Sequence, residues 1–149
     1  MIRRSRPDAG VAAVEFAIAV PFVLVLLGGV VDSGRLLRSQ NRLAGAVAAA
    51  ARYASLAGPS VDTTTLSTIV IGSSGLAGIT TSISAPACFC PTGTPATLAN
   101  ATCGATCVSG GAAASYVTIT GRFTYTPVTP HYGQIVAKTM AETRTVRLK

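Results

Sequence analysis

Tryptophan is absent from this 149-residue chain, aromatic residues make up 5% of it, and only 11% of its residues are charged. Soluble domains carry about 25% charged residues. The shortage of charge excludes an ordinary disordered chain, which needs an excess of polar residues. Nearly half of the chain (49%) is hydrophobic, and the mean hydropathy of +0.51 argues against a wholly soluble enzyme.

Groups that perform chemistry are also scarce. His131 is the single histidine, and it lies in a turn flanked by proline. The acids beyond the first ten residues form no pair at a spacing that suits acid–base catalysis; they are Glu15, Asp32, Asp62 and Glu142. No phosphate-binding loop or nucleophile elbow occurs. We therefore expect no enzyme, no cofactor and no metal. The rival enzyme hypothesis is a membrane-anchored catalyst that uses His131 and Glu142.

The hydrophobic residues are concentrated in one run, from Val11 to Val31, which contains a single charged residue, Glu15. At about 1.5 Å per residue, a helix of this length measures roughly 31 Å and crosses a bilayer core of about 30 Å. The run is too long for the apolar part of a cleaved secretory signal, and no A-x-A-like site follows it. The pattern predicts a retained membrane helix over residues 11–31, with the lipid bilayer as a partner.

Residues 32–57 continue as an amphipathic helix. Apolar residues recur on one helical stripe, namely Leu36, Leu43, Val47, Ala50 and Ala54, and arginines occupy a different face, namely Arg35, Arg38, Arg42 and Arg52. Gly58-Pro59 predicts the end of the helix. The simplest structure is one helix of about 45 residues. Gly28 and Gly29 give only a weak signal for close helix approach, because no G-x-x-x-G is present.

Beyond Pro59 the composition changes to Thr, Ser, Gly and β-branched residues. Residues 61–71 predict a short helix capped by Ser60 or Asp62, with a strand as the alternative reading of TIVIG. Alternation predicts strands at 79–85, 115–126 and 138–149, and residues 86–114 read as an irregular loop. The expected fold class is α+β: a long N-terminal helix with a small antiparallel sheet packed on its exposed half. Residues 58–149 then form a β-rich domain.

Four cysteines lie in the C-terminal half, with the spacing C-x-C-x12-C-x3-C; they are Cys88, Cys90, Cys103 and Cys107. A zinc site with four thiolates is the alternative, but the C-x2-C spacing of zinc knuckles is missing and no histidine lies nearby. We predict two disulfides, crossed or nested, that link Cys88 and Cys90 to Cys103 and Cys107. Disulfides need an oxidising compartment.

Charge and cysteines together predict the topology. Arg3, Arg4 and Arg6 precede the apolar run and favour a cytoplasmic N-terminus, although cations also follow the run. The cysteines favour a domain outside the cytoplasm, so we expect a single-pass membrane protein whose C-terminal domain lies outside the cytoplasm. The net charge of +7 falls to +5 without residues 1–10, since nine cations and four acids remain. Anionic head groups explain these cations better than nucleic acid does, and we expect no nucleic-acid partner.

The sharpest motif is the segment GVAAVEF, residues 10–16, between a short basic leader and the apolar run. A carboxylate inside a membrane helix costs about 2.5–3.5 kcal/mol at mid-bilayer, and less near its end. If the chain is cut after Gly10, Glu15 becomes the fifth residue, about 6 Å of helix rise from the new amine on Val11. In a bundle of such helices, Glu15 of one copy then pairs with the amine of another, and the pair sets the register between helices. The alternative is that Glu15 extends to the membrane interface without a partner and that Gly10 is an ordinary linker residue.

This arrangement resembles the processing site of type IV prepilins. Residues 10–57, with their blocks VEFAIAVP, DSGRL and AARYAS, look like the N-terminal signature of TadE-like minor pseudopilins of the tight-adherence (Tad/Flp) pilus system. The stretches YVTITGRFTYTPVTPHYG and TRTVRLK are similar to terminal strands of that family. The resemblance implies cleavage between Gly10 and Val11 by a prepilin peptidase, and Glu15 as the assembly carboxylate. It also implies other pilin or pseudopilin subunits and the pilus assembly platform as partners.

The chain departs from the patterns of related pilins in three ways. Phe16 stands where major pilins of this system have Tyr, and the processed chain is larger than they are, so the resemblance favours a minor component. Val11 stands where many type IV prepilins begin with Phe, so N-methylation does not carry over.

Pro21 frees the carbonyl of Ala17 and predicts a helix kink. The rival hypothesis is an unprocessed single-span protein that keeps residues 1–10 and binds a periplasmic partner.

Overall fold

The computed structural model describes residues 8–93, 97–129 and 138–149. Its first element is α1, Asp8–Ala57, a helix of 50 residues. This result confirms the long N-terminal helix. The chain divides into two compact units. The first unit comprises Met1–Leu37 with Thr126–Ala137, and the second comprises Arg38–Tyr125 with Lys138–Lys149.

The C-terminal part of α1 provides one layer of the second unit. Leu43, Val47, Ala50 and Ala54 are buried, as the predicted stripe requires, and Leu36 is half-buried. The arginines on the other face of the helix are exposed. A single 3₁₀ turn, Gly58–Ser60, ends α1 at Gly58-Pro59. Gly58 has a φ of 77°, and a Cβ added to it would lie 2.9 Å from the backbone oxygen of Lys149, so only glycine fits there.

Helix α2 spans Thr63–Ser74 and settles the ambiguity of the TIVIG segment in favour of a helix. The carboxylate of Asp62 accepts hydrogen bonds from the backbone N–H groups of Thr64 and Thr65 at 3.1 and 3.0 Å. These bonds satisfy donors that have no partner inside the helix. Gly75 follows in the left-handed conformation and ends the helix.

Within the described residues, five antiparallel strands form one sheet: β1 Thr80–Ile83, β2 Ala87–Thr92, β3 Thr97–Asn100, β4 Ala114–Tyr125 and β5 Lys138–Arg147. Strand β4 is central, because β5 pairs along one of its edges while β1 and β2 share the other. Strands β1, β4 and β5 lie where alternation predicts them. The fold is α+β, as the sequence indicates.

The core of the second unit lies between one face of the sheet and the two helices. Val117 and Ile119 of β4 contribute, and the largest helical members are Val47, Leu66 and Val70. Gly121 of β4 faces α1, and a Cβ added to it would lie 2.9 Å from Leu43 Cδ1 and 3.0 Å from Val47 Cγ2. The missing side chain therefore lets helix and sheet approach closely.

The cysteine region is more regular than expected. Residues 86–114 contain β2 and β3, which pair with each other, so the prediction of an irregular loop is wrong for this part. Cys88 bonds to Cys103 and Cys90 to Cys107, which is the crossed connectivity. The two Cα–Cα distances are 5.1 and 5.5 Å. Cys88 and Cys90 point to the same face of β2 because side chains alternate along a strand, and there they form a small buried cluster with Cys107 and Ala113.

Candidate functional site: the N-terminal helix and a buried aspartate

The segment of α1 from Gly10 to Val31 presents an apolar surface. Phe16, Phe22 and Leu26 are 71%, 70% and 68% exposed. The described structure has one helix that is long and apolar enough to cross a membrane, with a mean hydropathy of 2.5 over its most apolar window. Soluble proteins rarely leave so large a contiguous apolar surface uncovered, so this surface requires lipid or other helices around it.

The predicted cleavage site lies on the first turns of α1. The helix begins at Asp8, so Gly10 and Val11 are both helical. Gly10 is exposed, with no atom within 4 Å of an added Cβ, and Val11 is 61% exposed. Both residues therefore lie on the exposed surface of the helix.

Glu15 stands one turn further along and is exposed. It is the one charged residue within the apolar segment from Val11 to Val31. The position suits contact with another molecule, because the side chain is surrounded by apolar residues of its own helix that offer it no charge.

Pro21 lies inside α1, and the helix continues on both sides of it. Proline leaves the carbonyl four residues earlier, on Ala17, without its usual donor. The predicted kink stays a prediction, since the helical assignment runs through Pro21 without a break.

The role of Asp32 is not evident from the sequence. This residue ends the apolar segment and is only 2% exposed. Its Oδ1 accepts a hydrogen bond from the backbone N–H of Val128 at 3.0 Å, and its Oδ2 accepts one from Thr129 at 3.1 Å. One carboxylate thus holds two successive amides that lie more than ninety residues away in the chain. Such charge-assisted bonds are stronger than neutral ones.

Gly28 lies one helical turn before Asp32 and faces the same segment. A Cβ added to Gly28 would lie 3.2 Å from Thr129 Oγ1 and 3.6 Å from its Cγ2. The glycine therefore makes room for the chain that follows β4. We call this contact, formed by Gly28 and Asp32 of α1 with Val128 and Thr129, the Asp32 clamp. The one signal for it in the sequence was an acid directly after the apolar run, four residues beyond a glycine.

Of the two groups of the rival enzyme hypothesis, the structure describes Glu142 alone. Glu142 forms an ion pair with Arg144 at 3.1 Å, and His131 lies outside the described residues. Within the described ranges, no group of three or more His, Cys, Asp or Glu side chains is placed to hold a metal ion. The four cysteine sulfurs are used in the two disulfides.

These features define a class of protein: an exposed apolar helix that continues into a small α+β domain held by disulfides. Comparison with known families identifies the N-terminal part more closely. The family model described as TadE-like protein matches residues 10–52. The match starts at Gly10 and ends within the buried stripe of α1, and it confirms the resemblance for this segment. No curated protein and no solved structure is significantly similar to the chain.

The family match has coarse functional consequences. The matched segment, residues 10–52, is similar to TadE-like proteins, and this similarity supports a protein associated with the Tad pilus. The apolar helix and the pilus family together indicate association with a membrane.

Proposed function

We propose that this protein is a minor pilin or pseudopilin that takes part in assembly of a Tad/Flp-type pilus and performs no chemistry itself. A prepilin peptidase cuts it after Gly10, and the mature chain begins at Val11. The observation that carries the proposal is the coincidence of the family match, which starts at Gly10, with an exposed apolar helix that starts at Asp8.

The exposed position of Gly10 and Val11 supports the cleavage step. Gly10 has no side chain to cover the bond, and a Cβ added to it would have no atom from outside its own helical turn within 4 Å. The apolar residues that follow hold this bond near the cytoplasmic face of the membrane. The peptidase then releases residues 1–10, which carry three of the twelve cations.

The exposed Glu15 supports the assembly step. After cleavage, the new amine on Val11 lies about four residues, or roughly 6 Å of rise, from Glu15. Two charges that are each costly in lipid neutralise one another when Glu15 of one subunit meets the amine of its neighbour. The exposed apolar side chains around them, such as Phe16 and Phe22, then pack between subunits instead of against lipid.

The disulfides support a periplasmic location for the C-terminal domain, because the cytoplasm keeps thiols reduced. The proposed topology is a single pass through the inner membrane with residues 1–10 on the cytoplasmic side. The helix partners are other pilin or pseudopilin subunits and the assembly platform.

The mature N-terminus tests the cleavage. The full chain is expressed with and without the prepilin peptidase, and intact mass and N-terminal sequencing are measured on the purified protein. We expect Val11 as the first residue with the peptidase and Met1 without it. An N-terminus at Met1 in the presence of an active peptidase would contradict the proposal and favour the unprocessed single-span protein.

A matched pair of glycine substitutions sharpens this test. Gly10→Leu places a bulky side chain beside the predicted bond and should block cleavage. Gly45→Leu makes the same change at another exposed helical glycine with no atom within 4 Å of its added Cβ, and cleavage should continue. Equal cleavage of both variants would show that Gly10 is not recognised.

Glu15→Ala tests the assembly carboxylate. The variant should be cleaved but should reduce the number of pili per cell, counted by electron microscopy, because the Val11 amine loses its partner. Glu142→Ala removes an acid from the C-terminal sheet and serves as the control. Normal piliation with Glu15→Ala would remove the assembly role from this residue.

A further inference from the structure

We propose that the segment after β4, residues 126–129, is a second membrane contact that rests at the lipid–water interface beside α1. The partner is the head-group and upper acyl region of a bilayer. The inference rests on the proposed membrane span of α1 and adds a surface that the span does not include. Its evidence comes from the Asp32 clamp, from the depth of Gly28 along α1 and from the exposure of Val128.

Depth along the helix places the clamp at the membrane boundary. Gly28 lies seventeen residues after Val11, or about 26 Å along an α-helix, and Asp32 lies about 32 Å along it. A bilayer core of about 30 Å therefore ends between these two residues. Thr129 contacts Gly28, and the amides of Val128 and Thr129 bind Asp32. The segment thus straddles the boundary rather than standing clear of it.

The N–H positions of residues 127–129 need no water as a partner. Irregular backbone in contact with lipid is costly because each unsatisfied N–H or C=O group costs several kcal/mol. Pro127 has no N–H group, and the N–H groups of Val128 and Thr129 donate to Asp32. Three successive residues therefore present no unsatisfied donor. A carboxylate that serves only to anchor a loop in water gains less from such a bond, since water competes for the same amides.

The side chain at the centre of the segment is apolar and open. Val128 is 61% exposed. Leu27 and Val31, which directly precede Gly28 and Asp32 on α1, are 55% and 57% exposed. The Asp32 clamp holds the segment at this part of the helix, which points to the same solvent for all three side chains. Lipid is that solvent if α1 spans the membrane as proposed.

Single tryptophans test the location, because the chain has none of its own. Three full-length variants are reconstituted separately into phosphatidylcholine–phosphatidylglycerol vesicles: Val128→Trp, Phe22→Trp as the reference in the span, and Val108→Trp as the reference on the disulfide-linked turn. Val108 is fully exposed. The acyl chains carry bromine either close to the head group or close to the chain end, and the loss of tryptophan emission is measured for each.

We expect a different quenching result for each of the three tryptophan positions. Bromine near the head group should quench the tryptophan at position 128 most, bromine near the chain end should quench the one at position 22 most, and neither should quench the one at position 108. If position 128 behaves like position 108 while position 22 is quenched, the inference fails and the membrane span stands. If position 22 is not quenched, the proposed span fails, and the inference fails with it.

Protection by protein is a separate outcome. A tryptophan at position 128 that is shielded from aqueous iodide but is not quenched by brominated lipid would be covered by a second protein chain. That result would overturn the assignment to lipid.

Substitutions in the clamp test its positioning role. In the Val128→Trp background, Asp32→Ala removes both acceptors and should abolish shallow quenching, while Ser33→Ala, the adjacent exposed position, should leave it unchanged. Gly28→Val displaces Thr129 without touching the carboxylate and should also reduce quenching, whereas Gly34→Val, where the added Cβ meets nothing within 4 Å, should not. Unchanged quenching with both Asp32→Ala and Gly28→Val would show that the clamp does not position the segment.

Discussion

The two ends of α1 have the same secondary structure and opposite surroundings. Leu26 in the N-terminal part is 68% exposed, whereas Leu43 in the C-terminal part is 1% exposed. Large aliphatic and aromatic side chains dominate the exposed part, while alanines dominate the buried stripe, where a sheet must come close. Helical periodicity alone therefore does not tell what a helix packs against. Residue size and the presence of a polar face distinguish a helix surrounded by lipid from one that is covered by its own domain.

The largest effect on stability should come from replacing a leucine of α1 by alanine, and the same replacement is made in each of its two parts. Leu43→Ala leaves a cavity under the sheet and should lower the free energy of unfolding of the C-terminal domain by about 2–5 kcal/mol. Leu26→Ala should change the same quantity by less than about 0.5 kcal/mol, since its side chain contacts no core. Urea unfolding in detergent micelles, followed by circular dichroism, measures both. Similar losses for the two variants would remove the distinction between the two parts.

The disulfides should matter to the C-terminal domain and not to the apolar part of the helix. Replacing Cys90 and Cys107 together by Ser opens a link between residues 17 apart, and the unfolding free energy of the domain should fall by about 3 kcal/mol. Tryptophan at position 22 reports the apolar helix and should show unchanged bromine quenching. Loss of that quenching as well would mean that insertion depends on the folded domain.

Two glycines of the second unit should respond to alanine substitution with stability changes of opposite sign. Gly121→Ala forces a Cβ to within 3.0 Å of Leu43 and Val47 and should destabilise the domain by about 1–3 kcal/mol, as overpacking does. Gly45→Ala, on the open side of α1, should stabilise it by about 0.5–1 kcal/mol, because alanine loses less backbone entropy in a helix. Thermal unfolding monitored by circular dichroism separates the two. A stabilising Gly121→Ala would disprove the close approach of helix and sheet.

The smallest effect concerns two aspartates that each accept two backbone amides. Asp32 is buried, whereas Asp62 caps α2 in water. Hydrogen bonds from the amides of Thr64 and Thr65 hold the pKa of Asp62 below its usual range. Its contribution to stability is therefore present at neutral pH and is lost as the pH falls through that lowered pKa.

Comparison of the wild type with Asp62→Ala measures this contribution. The difference in melting temperature between the two should be small at neutral pH and should shrink in strong acid. Asp62→Asn keeps an acceptor and should fall between them at neutral pH. A difference that grows on acidification would contradict the assigned direction of the pKa shift.

Local patterns predicted most elements of this protein correctly. The apolar run, the stripe of small residues and the alternation in β4 and β5 depend on residues that are near in sequence, so they could be read directly. The hairpin of β2 and β3 could not be read, because its strands are short and rich in Cys, Pro and Ala, which have no strong preference for strands. The link of Cys88 to Cys103 belongs to one of the two arrangements that the spacing left open.

The candidate site divides in the same way. Gly10, Val11 and Glu15 were found because they form a contiguous motif. The Asp32 clamp was missed because its two sides are 96 and 97 residues apart in the chain. A single acid at the end of an apolar run is compatible with simple exposure to water, and only the fold brings the amides of Val128 and Thr129 to it.

By itself, the sequence determined the α+β class, the apolar helix with its one carboxylate and the number of available thiols, since composition and short-range periodicity encode these properties. The tertiary structure decided which thiols pair, why Gly121 has no side chain and why Asp32 is buried. Each of these depends on two segments meeting in space, and the free energy of such a contact is set by the pair, so neither segment alone contains it.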